Sequence, residues 1–281
     1  MQIRKLTAQD NPDLLKAING AFADYIVPFQ LSAAQLEAKM AAENIVPEWS
    51  AGVFEAGRMI AFIMQGVRTT AGKTVAYNAG TGVLPDYRGQ GLVGKMYDYL
   101  QPLLKENKVQ QLVLEVIEGN QSAIRAYEKN GFAIRRKLLC FSGTLQTQPH
   151  SETAIVKPLQ ELVWEEFQSF WDIAPSWQSA IPSMERAKPA ILGAFIEEAL
   201  VAYVSFNPDN KRIYQLAVAP QHRRKGIATQ VLAAVQQQLP GEKIQFNNMD
   251  EAAENLKLFL EKQGLTNDIN QFEMVKTFFE L

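Results

Sequence analysis

Apolar and polar positions along the chain follow one order, and the order runs twice. In the first round, GVFEAGRMIAFIMQG from Gly52 reads as two apolar runs around a short turn at Ala56-Gly57, which predicts a hairpin. VLPDYRGQGL from Val83 follows, and then the helical pattern VGKMYDYLQPLLKEN. A strand, QLVLEV around Leu114, leads to a helix, SAIRAYEKNGF, closed by Gly131, and to a last strand, IRRKLLCFSG. The second round has ILGAFIEEALVAYVSF from Ile191 with a turn at Glu197-Glu198, then VAPQHRRKGI from Val218. Its helix ATQVLAAVQQQL stops at Pro240-Gly241. Strand EKIQFN, helix ENLKLFLEKQGL closed by Gly264, and strand QFEMVKTFF complete it. Between the rounds, Gly143 to Ala154 is polar and contains Pro149, the pattern of a linker. The repetition predicts two similar α/β units in tandem, residues 1–145 and 152–281.

The most glycine-rich point of the pattern is Arg88 to Gly94. Gly89, Gly91 and Gly94 spell G-x-G-x-x-G, and a helical run follows. Such a turn lets successive backbone N–H groups point at an anion while the helix N-terminus adds partial positive charge. Three readings are open: a dinucleotide turn, another phosphate cradle, and a turn that needs glycine without a ligand. The dinucleotide motif places its first glycine directly after a strand at the start of a βαβ unit. Here five residues, Leu84 to Arg88, intervene, and a hairpin precedes them. The second copy, HRRKGIAT, keeps only Gly226. What both copies share is Val-x-Pro-x-x-Arg-x-x-Gly-Leu/Ile.

Composition removes several chemistries. The chain has 281 residues, 47% hydrophobic and 21% charged, as expected for a globular protein. Its net charge of -2 gives no field for nucleic acid or an anionic membrane, so neither is expected as a partner. No apolar run approaches the roughly 20 residues of a membrane span, and the opening MQIRKLTAQD has no signal-peptide pattern. The expectation is a cytoplasmic protein. The single cysteine, Cys140 in LLCF, reads as a small buried hydrophobe. The two histidines, His150 and His222, lie far apart, so no histidine-rich metal site is expected. His150, in QTQPHSE, reads as a solvated linker residue.

The shared loop resembles the pyrophosphate loop of the GNAT superfamily of acyl-CoA N-acyltransferases, Arg/Gln-x-x-Gly-x-Gly/Ala. LEVIEGNQSAIRAYEKNGF, Leu114 to Phe132, is similar to the same family's second segment. The resemblance spans most of both halves. It implies two tandem domains with a mixed, mostly antiparallel twisted sheet flanked by helices, whose central parallel strands splay apart around acyl-CoA. It implies acetyl transfer from acetyl-CoA to a primary amine, on a small molecule or a peptide, without a metal. Carried over by residue, Arg88, Gly89, Gln90, Gly91, Leu92, Val93 and Gly94 bind pyrophosphate through backbone N–H groups, and Thr81, Gly82 and Val83 pair with the pantetheine arm through their backbone. Asn120 bonds the cofactor near its thiol, Tyr127 protonates the departing thiolate, and Glu115 is the general base. The chemistry asks for such groups: a neutral amine needs a proton acceptor, and a leaving thiolate needs a donor. In the second half Arg223, Gly226 and Ala228 match the loop, and Arg224 and Lys225 add charge for the CoA phosphates.

Other readings stand beside these. Tyr127 also falls at helical spacing from Ala123 and Ile124, as a packing residue would, and Glu115 fits a solvated outer face of its strand. Val93 stands where the family has Gly or Ala, and a β-branched side chain there crowds a phosphate. Aligning Gly264 with Gly131 puts Leu260 at the tyrosine position, Ala253 at Asn120 and Asn248 at Glu115. That alignment assigns catalysis to the first half and an accessory role to the second, with the reverse, and a non-catalytic CoA-binding or regulatory module, still open. The aromatic stretch FQSFWDIAPSWQ, Phe167 to Gln178, fits core packing or the lining of an acceptor pocket.

Overall fold

The computed structural model describes residues 1–70, 72–148 and 153–278. In the first half the elements are β1 (Gln2–Lys5), α1 (Asn11–Ala21), α2 (Ala33–Glu43), β2 (Ala51–Glu55), β3 (Arg58–Thr70) and β4 (Lys73–Val83). They continue as α3 (Leu92–Glu106), β5 (Val109–Ile117), α4 (Gln121–Lys129) and β6 (Ala133–Thr144). The second half has β7 (Ile155–Pro158), α5 (Trp164–Ser169), α6 (Ile181–Ala187), β8 (Ala190–Ile196), β9 (Ala199–Asn207) and β10 (Arg212–Val218). It closes with α7 (Ile227–Gln238), β11 (Lys243–Asp250), α8 (Glu254–Lys262) and β12 (Thr266–Thr277).

The chain forms two compact units. One holds Met1–Arg135 and the chain from Phe272 on; the other holds Arg136–Gln271. The chain thus passes between units inside β6 and returns inside β12. The first unit's sheet runs β1-β2-β3-β4-β5 and then the Phe272 half of β12, with β4 and β5 parallel. In the second unit the order from β6 is β11-β10-β9-β8-β7, with β10 and β11 parallel. The fold is a mixed, mostly antiparallel twisted sheet flanked by helices in two similar repeats.

The predicted hairpins form where glycine and short turns allow. Ala56 and Gly57 both take positive φ (47° and 80°), as a two-residue turn matched to strand twist requires. From Met59 to Met64, β3 is buried throughout, with α1 and α3 both packed against it; this is why it reads as a continuous apolar run. Helix α1 buries Leu14, Ala17, Ile18 and Ala21, one stripe at helical spacing. In the second unit Phe167 and Phe170 enter the core, Phe167 stacking on Tyr203 at 3.8 Å between centroids. Trp171 donates from Nε1 to the Tyr203 hydroxyl at 2.6 Å, and that hydroxyl donates to Gln215 Oε1 at 2.8 Å. The aromatic stretch therefore packs a core.

Two sequence expectations change. The polar Gly143–Ala154 stretch is not free along its first half. Gly143 and Thr144 pair with Ile244 and Lys243, and Thr147 donates from N and Oγ1 to Gln236 Oε1. Residues 149–152, with His150, lie outside the described residues. Cys140 is only partly buried: its thiol donates to Asn248 Oδ1 at 3.6 Å and accepts from Gln271 Nε2 at 3.7 Å. A strand that also carries polar partners holds it at the core's margin. No helix among the described residues is long and apolar enough to cross a membrane.

Candidate active site

In the first unit β4 and β5 pair from Thr74↔Val109 only as far as Asn78↔Leu114. Beyond that point β4 continues on β3 (Ile63↔Thr81, Phe62↔Gly82, Ala61↔Val83) and β5 continues to Ile117. The two parallel strands therefore part. A register shift on β3, from Met64↔Gly80 to Gln65↔Asn78, leaves Ala79 as a bulge where they separate. Thr81, Gly82 and Val83 form the β4 wall of this opening, and Glu115 is the first β5 residue past the last pair.

The loop after β4 closes one end. Gly89 and Gly91 take φ of 76° and 70°, and a Cβ at either would meet no atom within 4 Å. Glycine is needed there for conformation, and its absent Cβ leaves the backbone open to approach. Gly91 is the N-cap of α3. Among the described residues, the N–H groups from Gly89 to Gly94 have no hydrogen-bond acceptor. Six amides at the start of a 15-residue helix are an anion cradle. Leu92 is buried beneath it and Val93 half-buried, so these two contribute backbone; Gln90 donates from Nε2 to the Asp86 carbonyl at 3.5 Å.

The side chain of the motif arginine is spent on protein partners. Arg88 donates from Nη1 and Nη2 to the Asp24 carboxylate (2.7 and 2.6 Å), from Nη2 to the Ala21 carbonyl (3.0 Å) and from Nε to the Val83 carbonyl (3.3 Å). Its guanidinium holds the Asp24 carboxyl below its usual range. Arg223 repeats the arrangement: Nε to Val218 carbonyl, Nη1 to Asp172, Nη2 to Phe170 carbonyl. The shared arginine ties each loop to the end of its strand and to the segment following the first helix.

The acid and base candidates lie on opposite faces of the opening. Tyr77 donates to Glu115 Oε2 at 2.9 Å, so Glu115 is half-buried and bonded rather than solvated. The next residue, Asn78, points to the other face, as strand alternation requires. There its Nδ2 donates to Tyr97 OH and to Thr81 Oγ1, both at 2.7 Å, and its Oδ1 accepts from Gly80 N–H at 3.0 Å. Tyr127 sits beside this cluster, 8% exposed, with its ring centroid 6.5 Å from that of Tyr97. Burial pushes its phenol up to about 12, opposed by Thr81 and Asn78. Asn120 is the N-cap of α4, accepting from Ala123 N–H at 3.1 Å, and its Nδ2 donates to Tyr25 OH at 3.1 Å. Asn78, Tyr97 and Tyr25 were not singled out from the sequence. Tyr97 falls at helical spacing with Met96, Leu100 and Leu104, and reads there as core.

The second unit keeps the frame and loses the polar cluster. Its loop has the same bends, with Arg224 at φ 63° and Gly226 at 83°, and Gly226 caps α7. The left-handed bend at position 89 thus recurs at Arg224, which the Arg-x-x-Gly reading missed. β10 carries its bulge at Tyr214, between Ser205↔Gln215 and Phe206↔Ile213. Matching pairs across β3 and β9 put Ile213 for Asn78 and Leu216 for Thr81. Matching helices put Leu232 for Tyr97 and Leu260 for Tyr127, both fully buried. Ala253 caps α8 where Asn120 caps α4, without a side-chain bond.

A parted parallel strand pair with a glycine-loop cradle at the start of the following helix, present twice, is the frame of the fold class that supports acyl transfer from acyl-CoA. The chain matches the acetyltransferase (GNAT) family over residues 18–132 and again over 156–264, and it belongs to that family. Solved structures of similar fold include a GCN5-related N-acetyltransferase from Sphaerobacter thermophilus (TM-score 0.74, 17% identity, 98% of this chain and 95% of that one). Another is a tandem GNAT protein from the clavulanic acid biosynthesis pathway (TM-score 0.70, 13% identity, 100% and 99%). A third is a putative acetyltransferase from Pyrococcus horikoshii (TM-score 0.64, 14% identity, 98% and 89%). No curated protein matches the sequence.

Proposed function

We propose that this protein is an N-acetyltransferase that moves an acetyl group from acetyl-CoA to a primary amine of a small molecule or peptide. The first repeat, within 1–145, carries the catalysis, and the second, within 152–281, is accessory. The observation that carries this division is the cluster Asn78–Thr81–Tyr97–Tyr127, whose counterparts Ile213, Leu216, Leu232 and Leu260 are apolar. Gly89 to Gly94 hold the pyrophosphate on backbone N–H groups, with Arg88 keeping the loop in shape. Thr81 to Val83 take the pantetheine arm, and Asn120 bonds near the thiol. Glu115 accepts the amine proton on one face of the sheet opening. Tyr127 donates to the thiolate on the other, and its raised pKa keeps it protonated at neutral pH.

A second reading, CoA held in the second repeat without turnover, is favoured by the N–H groups of Arg224 to Thr229, which likewise have no acceptor among the described residues. Arg223, Arg224, Gly226 and Ala228 form that cradle. The test combines thiol release from acetyl-CoA across a broad amine panel with calorimetric titration of CoA. Release with at least one amine is expected. Binding without release from any amine overturns catalysis, absence of binding overturns both readings, and a stoichiometry of two per chain supports the second cradle.

A further inference from the structure

We propose that Asn78 is a positioning residue that makes the hydroxyls of Thr81 and Tyr97 a one-way set of proton donors aimed at Tyr127. This role rests on Tyr127 being the acid. Asn78 Oδ1 accepts from the Gly80 N–H at 3.0 Å. A backbone N–H only donates, so the atom facing it is the amide oxygen and the orientation of the side chain is settled by chemistry. The nitrogen then faces Thr81 Oγ1 and Tyr97 OH, each at 2.7 Å. An amide NH₂ has two protons and no acceptor site. Both are spent on these oxygens, and neither hydroxyl can return its own proton to Asn78.

Thr81 and Tyr97 must therefore send their protons elsewhere. The phenol beside them is Tyr127, whose ring also packs on Phe132 at 5.8 Å, so apolar surface encloses it on the side away from the opening. In the transfer step the amine nitrogen bonds to the acyl carbon as the carbon–sulfur bond breaks and the electron pair leaves with sulfur. Tyr127 gives its proton to that sulfur and keeps the negative charge on its own oxygen. Glu115 takes the proton lost by the amine and passes it to solvent, and solvent returns a proton to Tyr127, so the balance closes. A buried phenolate is costly unless donors face it. The direction imposed by Asn78 makes Thr81, and Tyr97 behind it, available as those donors. Bulging at Ala79 is what brings Asn78 and Thr81, three residues apart, onto one face.

The test replaces Tyr127 with a fluorinated tyrosine, which ionises at lower pH, and follows its titration by ¹⁹F NMR. Asn78→Ala is expected to raise the midpoint by about one unit, the scale of a lost hydrogen-bond donor to the ionised form. Thr81→Val is expected to raise it similarly, and decides the matter if Asn78→Ala does not fold. An unchanged midpoint in a folded variant overturns the proposal. Because this readout needs no turnover, failure of the positioning role is distinguished from failure of the transferase reading. With an acceptor in hand, Asn78→Ala is expected to lower kcat with little change in KM for acetyl-CoA.

Discussion

Arg88 and Arg223 hold backbone φ of −68° in both repeats, with ψ of 158° and 157°, and reach the same three kinds of partner. Their neighbours differ. Position 89 is glycine at φ 76°, whereas its counterpart Arg224 sits at φ 63° with a Cβ to accommodate. A left-handed non-glycine residue costs on the order of 1–2 kcal/mol, partly offset by the extra freedom glycine has when unfolded. Arg224→Gly is therefore expected to stabilise the protein by up to about 1 kcal/mol in urea unfolding; loss of stability would contradict this. At the N-terminus, Arg4 donates to both oxygens of Asp10 at 2.8 and 2.6 Å, and Thr7 donates to the same carboxylate. These bonds, the Arg4 one foremost, depress the carboxyl to about 2 from 3.8. Stability from a depressed carboxyl is present above the unfolded value and lost as pH falls through the folded one, between about pH 4 and 2. Arg4 is a third exposed, so solvent screening reduces the full linkage value. Asp10→Asn is expected to cost about 1–2 kcal/mol at pH 7 and to flatten stability across that acid window, as measured by denaturation at each pH.

The opening between β4 and β5 depends on close packing behind it. A Cβ on Gly82 would lie 2.5 Å from the Phe62 ring and 2.9 Å from Ala21 Cβ, so α1 can cross β4 only because this residue has no side chain. Gly82→Ala is expected to destabilise by about 1–3 kcal/mol through overpacking. Phe62→Leu in the same chain is expected to recover part of the loss in chemical denaturation; no recovery would place the strain elsewhere. The hairpins and the helices α4 and α8 were legible because alternation, turn glycines and closing glycines coincide. Helix α2 was not: in AAQLEAKMAAE only Leu36 among its apolar residues is buried, so no stripe marks the sequence. Strand β4 carries little local signal, since TVAYNAGTG mixes small and polar residues along its length.

For the whole chain, the two repeats share a frame but place different side chains at its opening. Tyr127→Phe is expected to lower kcat by roughly 10²–10⁴, the contribution of a general acid. Leu260→Ala at the matching position is expected to leave kcat within a few-fold while costing about 2–5 kcal/mol of stability, because that side chain is fully buried. A large loss of kcat in a folded Leu260→Ala enzyme would move catalysis toward the second repeat. The division of the molecule into units also follows the whole chain: β6 and β12 each change unit partway along, and local pattern carries no mark of such a crossing.

By itself the sequence determined the tandem repeat, the fold class, the two glycine loops and the family, because periodicity, turn residues and short motifs are properties of neighbouring positions. Only the tertiary structure decided that Arg88 is a structural tie. It alone joined Asn78, Thr81, Tyr97 and Tyr127 into one cluster, and set Glu115 with Tyr77 on the opposite face. Those groupings depend on a strand bulge and on helix packing that bring together residues up to 49 positions apart, Asn78 to Tyr127, and such distances leave no local pattern to read.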